Sequence, residues 1–321
     1  MNDVLIENIE FMKIKISAIA YHLPAKAESV EVLKADNPDW DMPKIFEKTG
    51  IVTRYISAPD ETASDLAYEA GMKIFKQINS QKIDLLILVT QSPAYALPTT
   101  ACILQNRFGL STNCMAFDVN LGCSGFVYAL SIAGSLIESG VVKKGLILCS
   151  DTYTKYISKN DRTCRPIFSD GAAAILVEKS EGNSIGPFEF GTDGSGSGSL
   201  IVKDKTLEMQ GGSVFLFTMR VVPQSINNLL AKASLTLEDI DLVIFHQASK
   251  IVIEALIDQL KLDRKKVFTN YESIGNTVSA TIPIALQDAS SQGRLKKGDK
   301  VMVVGFGVGF SWGATLINWT I

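Results

Sequence analysis

Histidine is nearly missing from this chain, with only His22 and His246 among 321 residues. The five cysteines, at positions 102, 114, 123, 149 and 164, form no Cys-x-x-Cys pair and no ligand-like grouping with those histidines. No metal site is therefore expected. An odd cysteine count without a secretory leader argues for a reducing cytosol rather than a disulfide framework. The first ten residues, Met1-Asn-Asp-Val-Leu-Ile-Glu-Asn-Ile-Glu10, are acidic and hold too short an apolar run for a signal peptide. No stretch approaches the roughly 18 uninterrupted apolar residues of a membrane span. No Lys/Arg-rich block is interleaved with aromatics, and the net charge is −3, so nucleic acid is not an expected partner. These absences leave a soluble, cytoplasmic globular protein.

At this length the chain exceeds the usual size of one core, so two fused or duplicated units are the default. Residues 13–20 alternate as a strand and stop at Leu23-Pro24. Residues 28–50 are mostly helical in pattern, interrupted by Pro38 and Pro43. A helix opens at Thr62 and runs to about Asn79, and Ile83 to Thr90 is apolar throughout, as in a strand buried on both faces. A helix over 99–108, a strand from Cys114, a helix to Gly140 and strands at 145–150 and 172–178 follow. Residues 152–166 read as an exposed linker, and Gly191-Thr-Asp-Gly-Ser-Gly-Ser-Gly-Ser199 as a flexible surface loop.

The chain also repeats itself. Ile83-Asp-Leu-Leu-Ile-Leu-Val-Thr-Gln-Ser resembles Ile240-Asp-Leu-Val-Ile-Phe-His-Gln-Ala-Ser. Gly122-Cys123 is matched in place by Gly275-Asn276, Lys143-Lys-Gly by Lys296-Lys-Gly, and Phe168-Ser-Asp-Gly-Ala by Phe310-Ser-Trp-Gly-Ala. Four pairs in the same order predict a duplication, with halves at 13–180 and 181–321. Strands alternating with helices in each half predict an α/β fold of five layers, αβαβα, with two sheets.

The turn Gly122-Cys123-Ser124-Gly125 places a thiol at or near a helix N-terminus, where the dipole favours a thiolate. A buried structural cysteine is the plainer alternative. His246 ends the repeated strand, where open α/β sheets collect functional groups. Asn276 sits in the turn equivalent to that of Cys123. Each alone is ordinary: a satisfied rim histidine, a Gly-Asn turn. Together on equivalent loops they form a candidate catalytic set.

In these contexts the chain resembles the ketoacyl-ACP synthase III family of thiolase-fold condensing enzymes. The matching stretches are Asn120-Leu-Gly-Cys-Ser-Gly-Phe, His246-Gln-Ala-Ser, Gly275-Asn-Thr-Val-Ser-Ala-Thr-Ile-Pro and Gly305-Phe-Gly-Val-Gly-Phe-Ser-Trp-Gly. The likeness runs from about residue 13 to the C-terminus. It implies a thiolase-like fold with two mixed sheets and a homodimer. It also implies no resident cofactor, with coenzyme A or carrier-protein phosphopantetheine thioesters as substrates. Cys123 would take an acyl group, and His246 and Asn276 would stabilise a decarboxylating malonyl-type thioester. The backbone amides of Cys123 and Gly307 would form an oxyanion hole. Phe306 would neighbour the leaving carboxylate, unless it only packs in its Gly-rich turn. Leu97 holds the place of the acyl-pocket residue that the family borrows from its dimer partner, and its size leaves room for a longer or branched acyl chain.

Lys44 and Lys48 stand where housekeeping members have tryptophan and arginine, and Ile251 stands where an arginine often contacts the carrier protein. These departures point toward a specialised pathway rather than bulk lipid synthesis. Two alternatives stay open: an acyltransferase to an O, N or S acceptor without decarboxylation, and a non-catalytic partner of another subunit.

Overall fold

The computed structural model describes residues 11–76 and 78–321, so the acidic N-terminal decapeptide lies outside the described residues. The N-terminal half runs β1 (Ile14–His22), β2 (Lys26–Ser29), α1 (Val30–Asp36), α2 (Met42–Thr49), β3 (Thr53–Ile56), α3 (Ala63–Phe75), β4 (Leu85–Val89), α4 (Thr100–Arg107), β5 (Met115–Val119), α5 (Gly125–Glu138), β6 (Lys144–Asp151) and β7 (Gly171–Lys179). The remainder comprises β8 (Ile185–Thr192), a small hairpin of β9 (Leu200–Lys203) and β10 (Thr206–Met209), α6 (Gly211–Ala233), β11 (Leu242–Phe245), α7 (Lys250–Leu260), α8 (Tyr271–Ile274), α9 (Thr281–Ser291), β12 (Lys300–Gly307) and β13 (Ser311–Asn318).

One mixed sheet has the order β1-β7-β6-β4-β5 and the other β11-β12-β13-β8, so β4, β6, β7 and β1 correspond to β11, β12, β13 and β8. The counterpart of β5 is reduced to a single parallel bridge between Val243 and Val267. Repetition of Ile-Asp-Leu has a physical cause. Asp84 accepts the amides of Lys143 and Lys144 at 2.8 Å, and Asp241 accepts that of Lys300 at 2.8 Å. Each aspartate thereby fixes the register of its strand against the next.

Three cores alternate along the strands, as a side-chain period of two requires. Leu86 and Leu88 face the outer helices α3 and α4, while Leu85, Ile87 and Val89 face a central layer built from α5 and α9. In the second sheet Leu242 and Ile244 face that same central layer, and Val243 and Phe245 face the outer helix pair α6 and α7. The order α, β, α, β, α follows directly. The central core draws on both halves, so neither half buries its inner face alone. Among the described residues no helix is long and apolar enough to cross a membrane.

Three local expectations change. Pro43 does not interrupt a helix but sits in the first turn of α2, where its missing N–H costs nothing. Residues 152–166 are not an exposed linker: Tyr153, Cys164 and Arg165 are buried, and Arg165 joins Arg54 on the buried carboxylate of Glu28. The Gly/Ser stretch is ordered as the end of β8 and a turn of 3₁₀ helix. A side chain at Gly191 or Gly196 would collide with the rings of Trp312 or Phe310.

Candidate active site

Cys123 lies between β5 and α5, two residues before the first helical residue, and is 4% exposed. The glycines around it serve packing. A methyl on Gly122 would come within 2.5 Å of the Gln91 Oε1, and one on Gly125 within 2.4 Å of Val89. The Gly-rich end of β12 presses on the turn from the other half. A methyl on Gly305 would lie 2.7 Å from the Cys123 carbonyl oxygen, and one on Gly307 3.0 Å from the thiol sulfur. Only glycine permits that approach.

The expectation of a resting thiolate is corrected. Burial pushes the Cys123 thiol up to about 12, with the enclosed Asp151 carboxyl adding to it, and backbone amides pull in the opposite direction. Those amides are the ones of Cys123 and Val308. Gly307 is still in the β12–β13 ladder opposite Ser311, whereas Val308 is the first residue past the strand. Gly307 therefore leaves clearance beside the sulfur.

His246 follows β11, its amide bonded to the Val304 carbonyl at 2.8 Å. Burial holds its imidazole down to about 3, so the ring is neutral. Nδ1 lies 2.7 Å from Thr281 Oγ1, and the Phe306 ring meets the imidazole edge-on at 5.5 Å between centroids.

Asn276 is no ordinary turn residue. Its backbone bridges to the other half, N–H to the Ile167 carbonyl at 3.0 Å and C=O from the Ser169 amide at 2.9 Å. Gly275 before it has φ +77°, in the region glycine favours. The Asn276 Oδ1 accepts the Val278 amide at 2.9 Å, which orients the side chain so that Nδ2 faces the His246 Nε2 at 3.4 Å. Val278 itself adopts φ +57°, a strained conformation for a β-branched residue and one that persists here because it aims that amide.

Cys123, His246, Asn276, Phe306 and Gly307 all line one cavity of about 780 Å³. Lys44, Lys48 and Arg162, all exposed, line it as well and make its mouth basic. Leu97 is not brought to the cavity of its own chain; it stands 82% exposed on the surface. Thr281 and Asp151 are not marked by the sequence, whereas Val308 stands in the oxyanion loop where many members of the family have glycine. Thr281 lies inside the Gly275–Pro283 motif, but nothing in its residue type marks it.

Residues 117–194 match the family described as 3-Oxoacyl-[acyl-carrier-protein (ACP)] synthase III, and residues 230–319 match its C-terminal part. A curated relative from Clostridioides difficile (strain 630), a beta-ketoacyl-[acyl-carrier-protein] synthase III, is 38% identical over 86% of this chain and 90% of its own. The chain belongs to the ketoacyl-ACP synthase III family. A relative of the same description from Clostridium perfringens is 40% identical, over 85% of this chain and 90% of its own. A crystal structure of a 3-oxoacyl-(acyl-carrier-protein) synthase III superposes with a TM-score of 0.94 at 42% identity, covering 96% of this chain and all of the other. The thiolase-like architecture of this family is therefore the fold described above, and the chain is an acyltransferase-class enzyme.

Proposed function

We propose that the chain catalyses the decarboxylating condensation of an acyl thioester with a malonyl-type thioester on a carrier protein, through an acyl group held on Cys123. One observation carries the reading: a thiol from one half and two neutral N–H-bearing side chains from the other meet in one cavity with a basic mouth.

In the first step the Cys123 sulfur attacks the thioester carbonyl, and the Cys123 and Val308 amides hold the resulting oxyanion. The carrier thiol leaves with the proton the cysteine gives up, so the step is neutral overall. In the second, the malonyl C–C bond breaks to CO₂ and an enolate whose oxygen accepts from Asn276 Nδ2 and His246 Nε2. The enolate carbon then attacks the acyl–Cys123 carbonyl, and the expelled sulfur regains a proton. A neutral imidazole suits this, because it donates without itself surrendering a proton to the enolate.

Lys44, Lys48 and Arg162 would attract the phosphates of coenzyme A or phosphopantetheine, making acyl-CoA and an acyl carrier protein the partners. A second copy of the chain is the remaining partner. β5 pairs only with β4 among the described residues, and Met115 on that sheet edge is exposed, as are Tyr95 and Leu97 in the segment before α4. An open, apolar strand edge suits pairing with its own copy.

Intact-mass analysis after incubation with a panel of acyl-CoA and acyl-carrier donors is the test. A single acyl adduct on Cys123, lost in Cys123→Ala, is expected. An adduct elsewhere, or none with any donor, overturns the reading.

A further inference from the structure

Neutral imidazole exists as two tautomers, and only one of them can serve the chemistry above. Asn276 Nδ2 and His246 Nε2 lie 3.4 Å apart at the cavity. Because the Asn276 Oδ1 is committed to the Val278 amide, the facing group is an NH₂, a donor. An oxygen seated between the two atoms accepts from both only if Nε2 also carries hydrogen. Nδ1 must then be the bare nitrogen, and a bare nitrogen in a buried site needs a donor of its own.

Thr281 is the residue in place to supply it. Its side chain is 2% exposed, and Oγ1 is 2.7 Å from Nδ1. The hydroxyl has one proton and two neighbouring acceptors, Nδ1 and the Val278 carbonyl at 3.1 Å. That carbonyl also accepts the Thr281 backbone N–H, so it keeps a partner when the hydroxyl turns to Nδ1. Of the two acceptors, Nδ1 is the nearer to the hydroxyl, at 2.7 Å against 3.1 Å. Thr281 also opens α9, so its backbone is anchored in the central layer and the hydroxyl has little room to swing away.

We infer that Thr281 is a positioning residue: its hydroxyl donates to His246 Nδ1 and so fixes the Nε2–H tautomer, making His246 and Asn276 a matched pair of donors. This rests on the reading that His246 faces the decarboxylating thioester, but the tautomer itself is measurable without substrate.

The scarcity of histidine makes the measurement simple. In ¹⁵N-histidine-labelled protein only His22 and His246 contribute, and His22→Gln assigns them. Ligand-free wild type should show a pyridine-type Nδ1 and a protonated Nε2 at His246. Thr281→Val, which keeps the shape and removes the hydroxyl, should lose that preference. It should slow CO₂ release from a malonyl thioester by about 10–100-fold, the range seen when a group orienting a metal-bound imidazole is deleted. Acylation of Cys123 should be unchanged, and Thr281→Ser should restore both tautomer and rate. A protonated Nδ1 in wild type overturns the inference, as does equal loss of acylation and decarboxylation in a folded Thr281→Val. If that variant does not fold, the wild-type spectrum and the Thr281→Ser rate still decide. A correct tautomer in an enzyme that releases no CO₂ would instead sink the proposed function and leave the tautomer assignment standing.

Discussion

Replacing Asn276 by aspartate changes one NH₂ to oxygen and almost nothing else in shape. The Val278 amide, now 2.9 Å from Oδ1, would keep its acceptor, so the strained loop should hold. What is lost is the donor 3.4 Å from His246 Nε2. Loss of one donor to a developing oxyanion costs about 10²–10³ in rate, or about 2.7–4 kcal/mol. An ionised carboxylate adds repulsion to that loss. Asn276 is 4% exposed, so burial would raise the introduced carboxyl above the ordinary aspartate value. Below its raised pKa the group is a neutral acid whose O–H can take over from the amide; above it the group is an anion facing the enolate. The deficit should therefore shrink as pH falls from about 8 to about 6, opposite to the effect of losing a general base. The assay follows CO₂ release from a malonyl-carrier thioester across that range and, separately, acyl transfer to Cys123 by mass. Acylation should stay near wild type. Equal damage to both half-reactions, or a deficit that deepens on acidification, would refute the role assigned to Asn276.

Gly305→Ala would drive a methyl toward the Cys123 carbonyl oxygen and the Ser124 Cα, both backbone atoms that cannot turn aside. Unfolding by denaturant should show a loss of about 1–3 kcal/mol, together with impaired acylation of Cys123. Glu28 is buried between Arg54 and Arg165. Burial alone would raise its pKa, but the two guanidinium groups outweigh burial and hold it below the ordinary 4.5. A depressed folded pKa contributes stability that is present above 4.5 and lost as pH falls through the folded value. Thermal melts should be flat near neutrality and drop on the acid side, and Glu28→Gln should lower the neutral plateau and flatten the acid limb. Light scattering should give twice the chain mass, and Met115→Lys with Leu97→Lys, both exposed on that side, should reduce it to one; a wild-type monomer would remove the pairing proposed here.

Much of this was legible in the sequence because the same physical solution is written twice. Ile-Asp-Leu recurs because each aspartate caps the start of the neighbouring strand, and Phe-Ser-x-Gly-Ala recurs where the chain enters the equivalent inner strands β7 and β13. Cys123, His246 and Asn276 could be found from their equivalent places. What stayed hidden depends on distances rather than residue types. Helix position favoured a thiolate at Cys123, but enclosure beside Asp151 dominates, and only coordinates report enclosure. Gly307 and Val308 are adjacent in sequence, yet the end of a strand ladder falls between them. Residues 152–166 look like an exposed linker because they are polar, yet Tyr153, Cys164 and Arg165 are buried and Arg165 is paired with Glu28 inside.

The contact between the Gly-rich strand end and the cysteine turn carries one more consequence. The cysteine turn and the Gly-rich strand end come from opposite halves that touch with less than a methyl group to spare, across a central layer that both halves share. The site therefore works as a gauge of how the halves are seated. A substitution deep in α5 or α9, remote from any substrate, need only shift one sheet by a fraction of an ångström to be felt first at Cys123, as a change in rate before any change in melting temperature.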